Sequence, residues 1–283
     1  MGPRKPSTTS TVRQNRRSLE RHVGAVNVNV KAILVAGGHG SRLSPFTRYT
    51  QKTLLPIHER PVIDYALGTI RRAGIKDITI IANQFIGQIA QHVGTGLPGE
   101  RIHYVMEEEP RGVAYALSLA RPHNEDTRLM VYFSDNITTV ELAEHVSAFR
   151  EATDPPGAVL LAREEADPRA FGVAVLDDEG QVTDIVEKPE VPPSNLAIGG
   201  IYLFDERFWS FFDKAVARVG DEFSISEINR TYVEHRAAKV LNVGEETWVD
   251  CGTPATLLQA SIMAKEGRLD PRPHKDETRR HGA

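Results

Sequence analysis

The sequence predicts an α/β protein built on a largely parallel sheet, and three observations carry that expectation. Short apolar runs at 32–35, 78–82, 102–106 and 129–133 have the character of buried strands. Between them lie helical segments: 61–73 begins on Pro61 and is followed by Gly74, and 84–93 and 113–120 read as two more. Short links between alternating strands and helices imply right-handed βαβ units. In such sheets ligands bind at the carboxyl ends of the strands, so the turns after the first and fourth strands should face one another.

The second half changes character. Segments 171–176 and 181–186 flank Asp177-Asp-Glu-Gly180, a hairpin signal, and 196–204 reads as another strand. These antiparallel strands are expected to close over the first half. No Pro/Gly/Ser-rich linker separates the halves, so 30–266 reads as one domain without internal repeats. Ahead of it, residues 1–29 carry Arg4, Lys5, Arg13, Arg16, Arg17 and Arg21 among Ser, Thr and Pro, a basic extension with the composition of disordered chain. It shares its composition with transit peptides, although an extension with no role of its own is the preferred reading. Residues 267–283, rich in Arg, His and Pro, read as a loose tail.

Composition excludes several classes. A chain of 283 residues can bury one sizeable core, and its net charge of −4 argues against a general nucleic-acid binder. Cys251 is the single cysteine, so no internal disulfide can form and a reducing, cytoplasmic setting fits. No apolar run approaches the ~20 residues that cross a bilayer, so no membrane partner is expected.

The most informative stretch is Lys31-Ala-Ile-Leu-Val-Ala-Gly-Gly-His-Gly-Ser-Arg-Leu43, followed by Lys52-Thr-Leu-Leu-Pro56. A strand feeding a glycine turn sets backbone N–H groups where phosphate oxygens can approach without meeting a Cβ. Arg42 and Lys52 add mobile positive charge at the same mouth. A dinucleotide loop would need Gly-x-Gly-x-x-Gly, and the third place here holds Leu43. A P-loop would close on Gly-Lys-Ser/Thr, which this chain lacks. The stretch therefore reads as a site for a nucleoside triphosphate.

Further motifs follow in order: Pro110-Arg-Gly112, Ser134-Asp-Asn136, Phe171-Gly172, Glu187-Lys-Pro189, Glu222-Phe-Ser-Ile-Ser226 and Trp248-Val-Asp-Cys-Gly-Thr253. With the glycine stretch they resemble, across roughly residues 31–262, the sugar-1-phosphate nucleotidyltransferases, and most of all the short glucose-1-phosphate thymidylyltransferases. The resemblance implies a Rossmann-like three-layer fold with a mostly parallel central sheet and an added antiparallel sugar-binding lobe. It implies attack by a sugar-1-phosphate oxygen on the α-phosphorus of a nucleoside triphosphate, giving an NDP-sugar and pyrophosphate, and a homo-oligomer.

Both reactants are anions, and metal ions with cationic side chains are the remedy for their repulsion. Asp135 and Asp250 each follow an apolar stretch, as a carboxylate at a strand end should, and match the metal aspartates of the family. Mg²⁺ accepts one or two carboxylates together with substrate phosphates and water. Arg42 is expected nearest the leaving pyrophosphate, with Lys52 on the triphosphate. Gly37, Gly38, Gly40, Ser41 and Gly112 are expected around the nucleotide. Sugar recognition falls on Gly172, Glu187, Lys188 and Glu222; the resemblance gives the glutamate to sugar hydroxyls and the lysine to the sugar phosphate. An arginine often found before Glu222 is here Gly220, with Arg218 displaced. The substrate phosphate is itself the nucleophile, so none of the ten histidines, His39 included, is assigned a catalytic role.

Two departures stand out. Ser134 replaces the glycine usual before the metal aspartate and should narrow the approach there. Glu107 stands where these thymidylyltransferases place a glutamine: an amide gives one bond and takes one, matching thymine, whereas a carboxylate only accepts and matches the donor edge of guanine. Overall similarity favours TTP, and Glu107 favours GTP. Two other classes stay open: a catalytically silent regulator binding nucleotide or sugar phosphate, and a nicotinamide-dependent oxidoreductase. The full set of Arg42, Lys52, Asp135, Lys188 and Asp250 speaks against the first, and the missing third glycine against the second.

Overall fold

Val30–Val35 (β1) is apolar on both sides and almost wholly buried, because helices cover both faces of the sheet it centres. Ile33 and Val35 enter one core, Ala32 and Leu34 the other. The computed structural model describes residues 28–269 apart from residues 39, 110, 221 and 222. The basic extension up to residue 27, the tail from 270 onward, His39, Pro110 and Glu222 lie outside the described residues.

After β1 come a small hairpin of Pro56–Ile57 (β2) and Arg60–Pro61 (β3), then helix Val62–Arg72 (α1) and strand Asp77–Ala82 (β4). Ile86–Val93 (α2), Arg101–Met106 (β5), Val113–Asn124 (α3) and Arg128–Phe133 (β6) complete the parallel part. Asn136–Thr138 (β7) and Ala143–Glu151 (α4) lead to Ala158–Glu164 (β8), Gly172–Leu176 (β9), Val182–Glu187 (β10) and Leu196–Phe204 (β11). Phe208–Val219 (α5), Ile225–Glu234 (α6), Ala238–Asn242 (β12), Trp248–Asp250 (β13) and Pro254–Lys265 (α7) follow.

Among the described residues the main sheet has nine strands. β5, β4, β1 and β6 lie side by side in parallel, and β11 joins the free edge of β6 in antiparallel register. The other edge of β11 carries β8, and its first residues also pair with β9 of the β9–β10 hairpin. Helices α1, α2 and α4 cover one face and α3, α5 and α6 the other, so the three-layer architecture expected from the sequence is present. One expectation is corrected: the antiparallel strands do not close over the first half but extend its sheet edge to edge. Pairing with β11 satisfies the backbone groups along β6 that a separate lobe would have left open.

A second correction concerns α3, which runs past residue 120 with Pro122 inside it. Proline holds a helical φ and forfeits one N–H. The last turn is secured instead by Asn124, whose Nδ2 donates to Ala120 O at 2.8 Å while its own carbonyl accepts from Trp209 Nε1 at 2.9 Å. The hairpin turn at 177–180 forms as expected, with Gly180 at φ 79° and Asp177 Oδ1 accepting from the Gln181 N–H at 2.8 Å.

Candidate active site

The turns after β1 and β6 meet where the strand order reverses, the place where an open α/β sheet leaves a crevice. Gly38 and Gly40 adopt φ of 87° and 58°, conformations that L side chains rarely take. The carbonyls of this turn are drawn back into the protein. Ala36 O accepts from Gln51 Nε2, Gly38 O from Asn83 Nδ2 at 3.2 Å, and Gly40 O from Thr47 Oγ1 at 2.9 Å. The N–H groups of Gly37, Gly38 and Gly40 donate to nothing among the described residues. A turn with carbonyls engaged and N–H groups free is an anion cradle. Gln51 and Asn83 escaped the sequence reading, since a buried amide looks like any other polar residue until its partner is seen.

Ser134 does not narrow the approach. Its N–H and its Oγ both donate to Val35 O at 3.0 Å, so the side chain folds back onto β1. Asp135 follows it, and the two-strand pairing of β7 with β13 sets Asn136 opposite Asp250. Two carboxylates 115 residues apart are thereby brought to one place by the register of two three-residue strands. Cys251 N–H donates to Asp135 O at 2.8 Å and locks the pairing. The Cys251 thiol is buried, and burial pushes its pKa up, so it acts as packing.

Lys52 Nζ sits 2.5 Å from Asp135 Oδ2. Burial opposes the charge on Asp135, but Lys52 and the amide of Asn136 outweigh it and hold the carboxyl below the usual range. Asp250 goes the other way: burial pushes it up and the Asp135 charge pushes it further, against the pull of Lys52, Arg42 and the Gly252 N–H. Arg42 reaches the same spot. A Cβ on Gly252 would lie 2.7 Å from Asp250 Oδ1 and 2.8 Å from Arg42 Nη2, so any side chain at 252 would displace one of them. Ser41 stands exposed at the start of the same short turn as Arg42.

Glu107 follows β5 on the far side of the glycine turn and is 2% exposed. Its Oε2 lies 2.6 Å from where a Cβ on Gly37 would be. Gly112, at φ 103°, opens α3.

The group expected to face the sugar is assembled from the antiparallel strands. Gly172 pairs with Glu187, whose Oε2 accepts from Ser226 Oγ at 2.5 Å and whose Oε1 lies 3.5 Å from Lys188 Nζ. Lys188 is held at φ 45°, a strained value for a lysine, with its N–H bonded to Phe171 O. A narrow cleft runs from Phe171 past Ile198, Gly199 and Trp248 to Asp250, with Arg163 on its wall. Arg218 is not part of it: its guanidinium is taken by Glu227 and Glu234 on α6, at 2.9 Å each. The structure thus gathers Arg42, Lys52, Asp135 and Asp250 at the mouth of the glycine turn. Glu107 and Gly112 lie to one side of it, and Gly172, Glu187 and Lys188 lie across the cleft.

A glycine turn with free N–H groups, a charged cluster and an adjoining cleft on a three-layer α/β sheet are the features expected of a nucleotidyltransferase. The nucleotidyl transferase family profile matches residues 31–266, and the chain belongs to that family. It is 32% identical over 241 residues to the low-salt glycan biosynthesis nucleotidyltransferase Agl11 of Haloferax volcanii, covering 84% of this chain and 67% of the relative. Against the glucose-1-phosphate thymidylyltransferase of Streptomyces antibioticus it is 32% identical, covering 86% and 68%. The fold superimposes with a TM-score of 0.76 on a Bacillus anthracis crystal structure named as a glucose-1-phosphate thymidylyltransferase in complex with sucrose, at 32% identity, covering 84% of this chain and 96% of that one.

Proposed function

We propose that this nucleotidyltransferase joins a sugar-1-phosphate to a nucleoside triphosphate, with thymidine as the base, releasing pyrophosphate. The observation that carries the reading is the meeting of Asp135 and Asp250, with Lys52 and Arg42 on them, between a glycine cradle and a cleft whose Phe171 end adjoins Gly172, Glu187 and Lys188. The chemistry needs no protein nucleophile, only two anions held in line with their repulsion offset. Arg42 grips the departing pyrophosphate, where a guanidinium can bind two oxygens at once. Lys52 keeps Asp135 charged and oriented, and Lys188 takes the acceptor phosphate. Sequence resemblance places Glu222 beside the acceptor sugar.

Asp135 and Asp250 fit Mg²⁺. No cluster of three or more His, Cys, Asp or Glu that could hold a metal occurs among the described residues, and a pair of carboxylates completed by substrate phosphates and water is what Mg²⁺ accepts. When bound there, the ion would offset phosphate charge on both reactants. Among the described residues no helix is long and apolar enough to cross a membrane. A cytoplasmic location, favoured by the lone cysteine, and a homo-oligomeric assembly complete the reading.

Pyrophosphate release from a panel of nucleoside triphosphates, with glucose-1-phosphate and mannose-1-phosphate, tests it: metal-dependent release with one base is the expected result. Silence across the panel with nucleotide still bound would point to a different sugar phosphate, and silence with no nucleotide bound would favour a regulatory role. Guanosine triphosphate is the second reading, favoured by the acceptor-only carboxylate of Glu107 pressed against Gly37. Glu107→Gln should then raise the use of TTP relative to GTP, and an unchanged ratio clears Glu107 of base choice.

A further inference from the structure

We propose that Asn136 is a positioning residue that ties the wall of the acceptor cleft to the carboxylate of Asp135, so that the cleft and the metal-binding group are set together. The proposal rests on the reading of Asp135 as a metal carboxylate. Asn136 is 6% exposed, and its Oδ1 accepts from Trp248 Nε1 at 2.8 Å and from Gly200 N–H at 3.1 Å. An indole N–H and a backbone N–H can only donate, so the amide oxygen must face them. The amide nitrogen is therefore turned to Asp135, donating to Oδ1 at 3.0 Å. Lys52 holds the other oxygen. The carboxylate is gripped at both oxygens, and its orientation is decided in part by a tryptophan of the acceptor cleft.

The surroundings leave little freedom for this arrangement. β11 loses its regular pairing between Ile198 and Tyr202, where Gly199 and Gly200 stand. A Cβ on Gly200 would lie 2.5 Å from Asn136 Nδ2, and one on Gly199 would lie 2.2 Å from the Trp248 ring. Both glycines are thus needed for the backbone to come this close to the amide and the indole. An aspartate at 136 would satisfy Trp248 and Gly200 equally well but would turn an acceptor toward an acceptor at Asp135.

The test is Mn²⁺ binding followed by electron paramagnetic resonance, with inorganic tripolyphosphate present, beside thermal melts. Asn136→Asp should weaken Mn²⁺ binding by about 10- to 100-fold, the usual cost of losing a group that orients a metal ligand. Trp248→Phe removes the indole N–H that Asn136 accepts and should weaken Mn²⁺ binding by a smaller factor. A merely structural role would lower melting temperatures and leave Mn²⁺ affinity unmoved. Wild-type Mn²⁺ affinity in Asn136→Asp, with affinity lost in Asp135→Asn, overturns the proposal and spares the function. Affinity retained in Asp135→Asn overturns the metal reading and this proposal with it. Should Asn136→Asp fail to fold, unchanged affinity in Trp248→Phe overturns the proposal by itself.

Discussion

The parallel and antiparallel halves of the sheet hold their polar groups by different means. Around the glycine turn the work is done by buried neutral side chains: Gln51, Asn83 and Ser134 are all nearly inaccessible, and each is spent on a backbone carbonyl. On the acceptor side the groups are charged, nearer to water and paired with one another. Lys188 is 66% exposed beside Glu187, and Arg163 pairs with Glu165 at the cleft wall. Neutral groups can be buried at little cost once hydrogen-bonded, and they make a stiff cradle. Exposed ion pairs are weak and exchangeable, which suits the role proposed for Lys188, trading a partner for a substrate phosphate. A triphosphate is the same for every nucleotide, whereas the acceptor must be chosen.

The largest expected effect lies between the two halves. Asp135→Asn should leave the fold intact by circular dichroism but cut turnover by about 10²–10³, the scale of losing a charge stabiliser. In the same variant the Asp250 carboxyl should titrate lower than in the wild type, because the charge that raises it is gone, as carboxyl ¹³C shifts would report. Near-native turnover would erase the distinction between cradle and junction.

Lys188→Met tests the acceptor half. Losing a hydrogen bond to a charged group should raise KM for the sugar phosphate by about 10- to 100-fold with kcat little changed. A matching rise in KM for the triphosphate would mean that the halves are not separable. The smallest effect belongs to the cradle: Asn83→Ala removes the donor to Gly38 O and should raise KM for the triphosphate by about five-fold, with the sugar phosphate unaffected.

What could be read in the chain is what depends on neighbours in sequence. β1, β4 and β6 stand out because strands covered on both faces are largely apolar, whereas β5, expected as a buried strand, lies at the sheet edge and is only partly buried. The glycine turn stands out because side chains rarely take its φ values. The hairpin at 177–180 follows from its turn residues. By contrast β7 and β13 are three residues each, too short for any period to register. On α7 Ala260 and Met263 are buried while Leu258 and Ile262 are exposed, so its apolar residues do not mark a single face. Asp135 and Asp250 could each be picked out as a carboxylate after an apolar run. Their meeting could not, because it depends on the register of β7 against β13.

By itself, then, the sequence determined the α/β class with its largely parallel sheet, the glycine turn and the charged residues around it, since these follow from local periodicity, glycine conformation and residue chemistry. The three-layer architecture came from the family resemblance. Tertiary structure alone decided that the antiparallel strands continue the parallel sheet and that Lys52 pairs with Asp135. It also decided that Asn136 answers to a tryptophan 112 residues away. Those facts depend on hydrogen bonds between segments that are neighbours only once the sheet has closed around them.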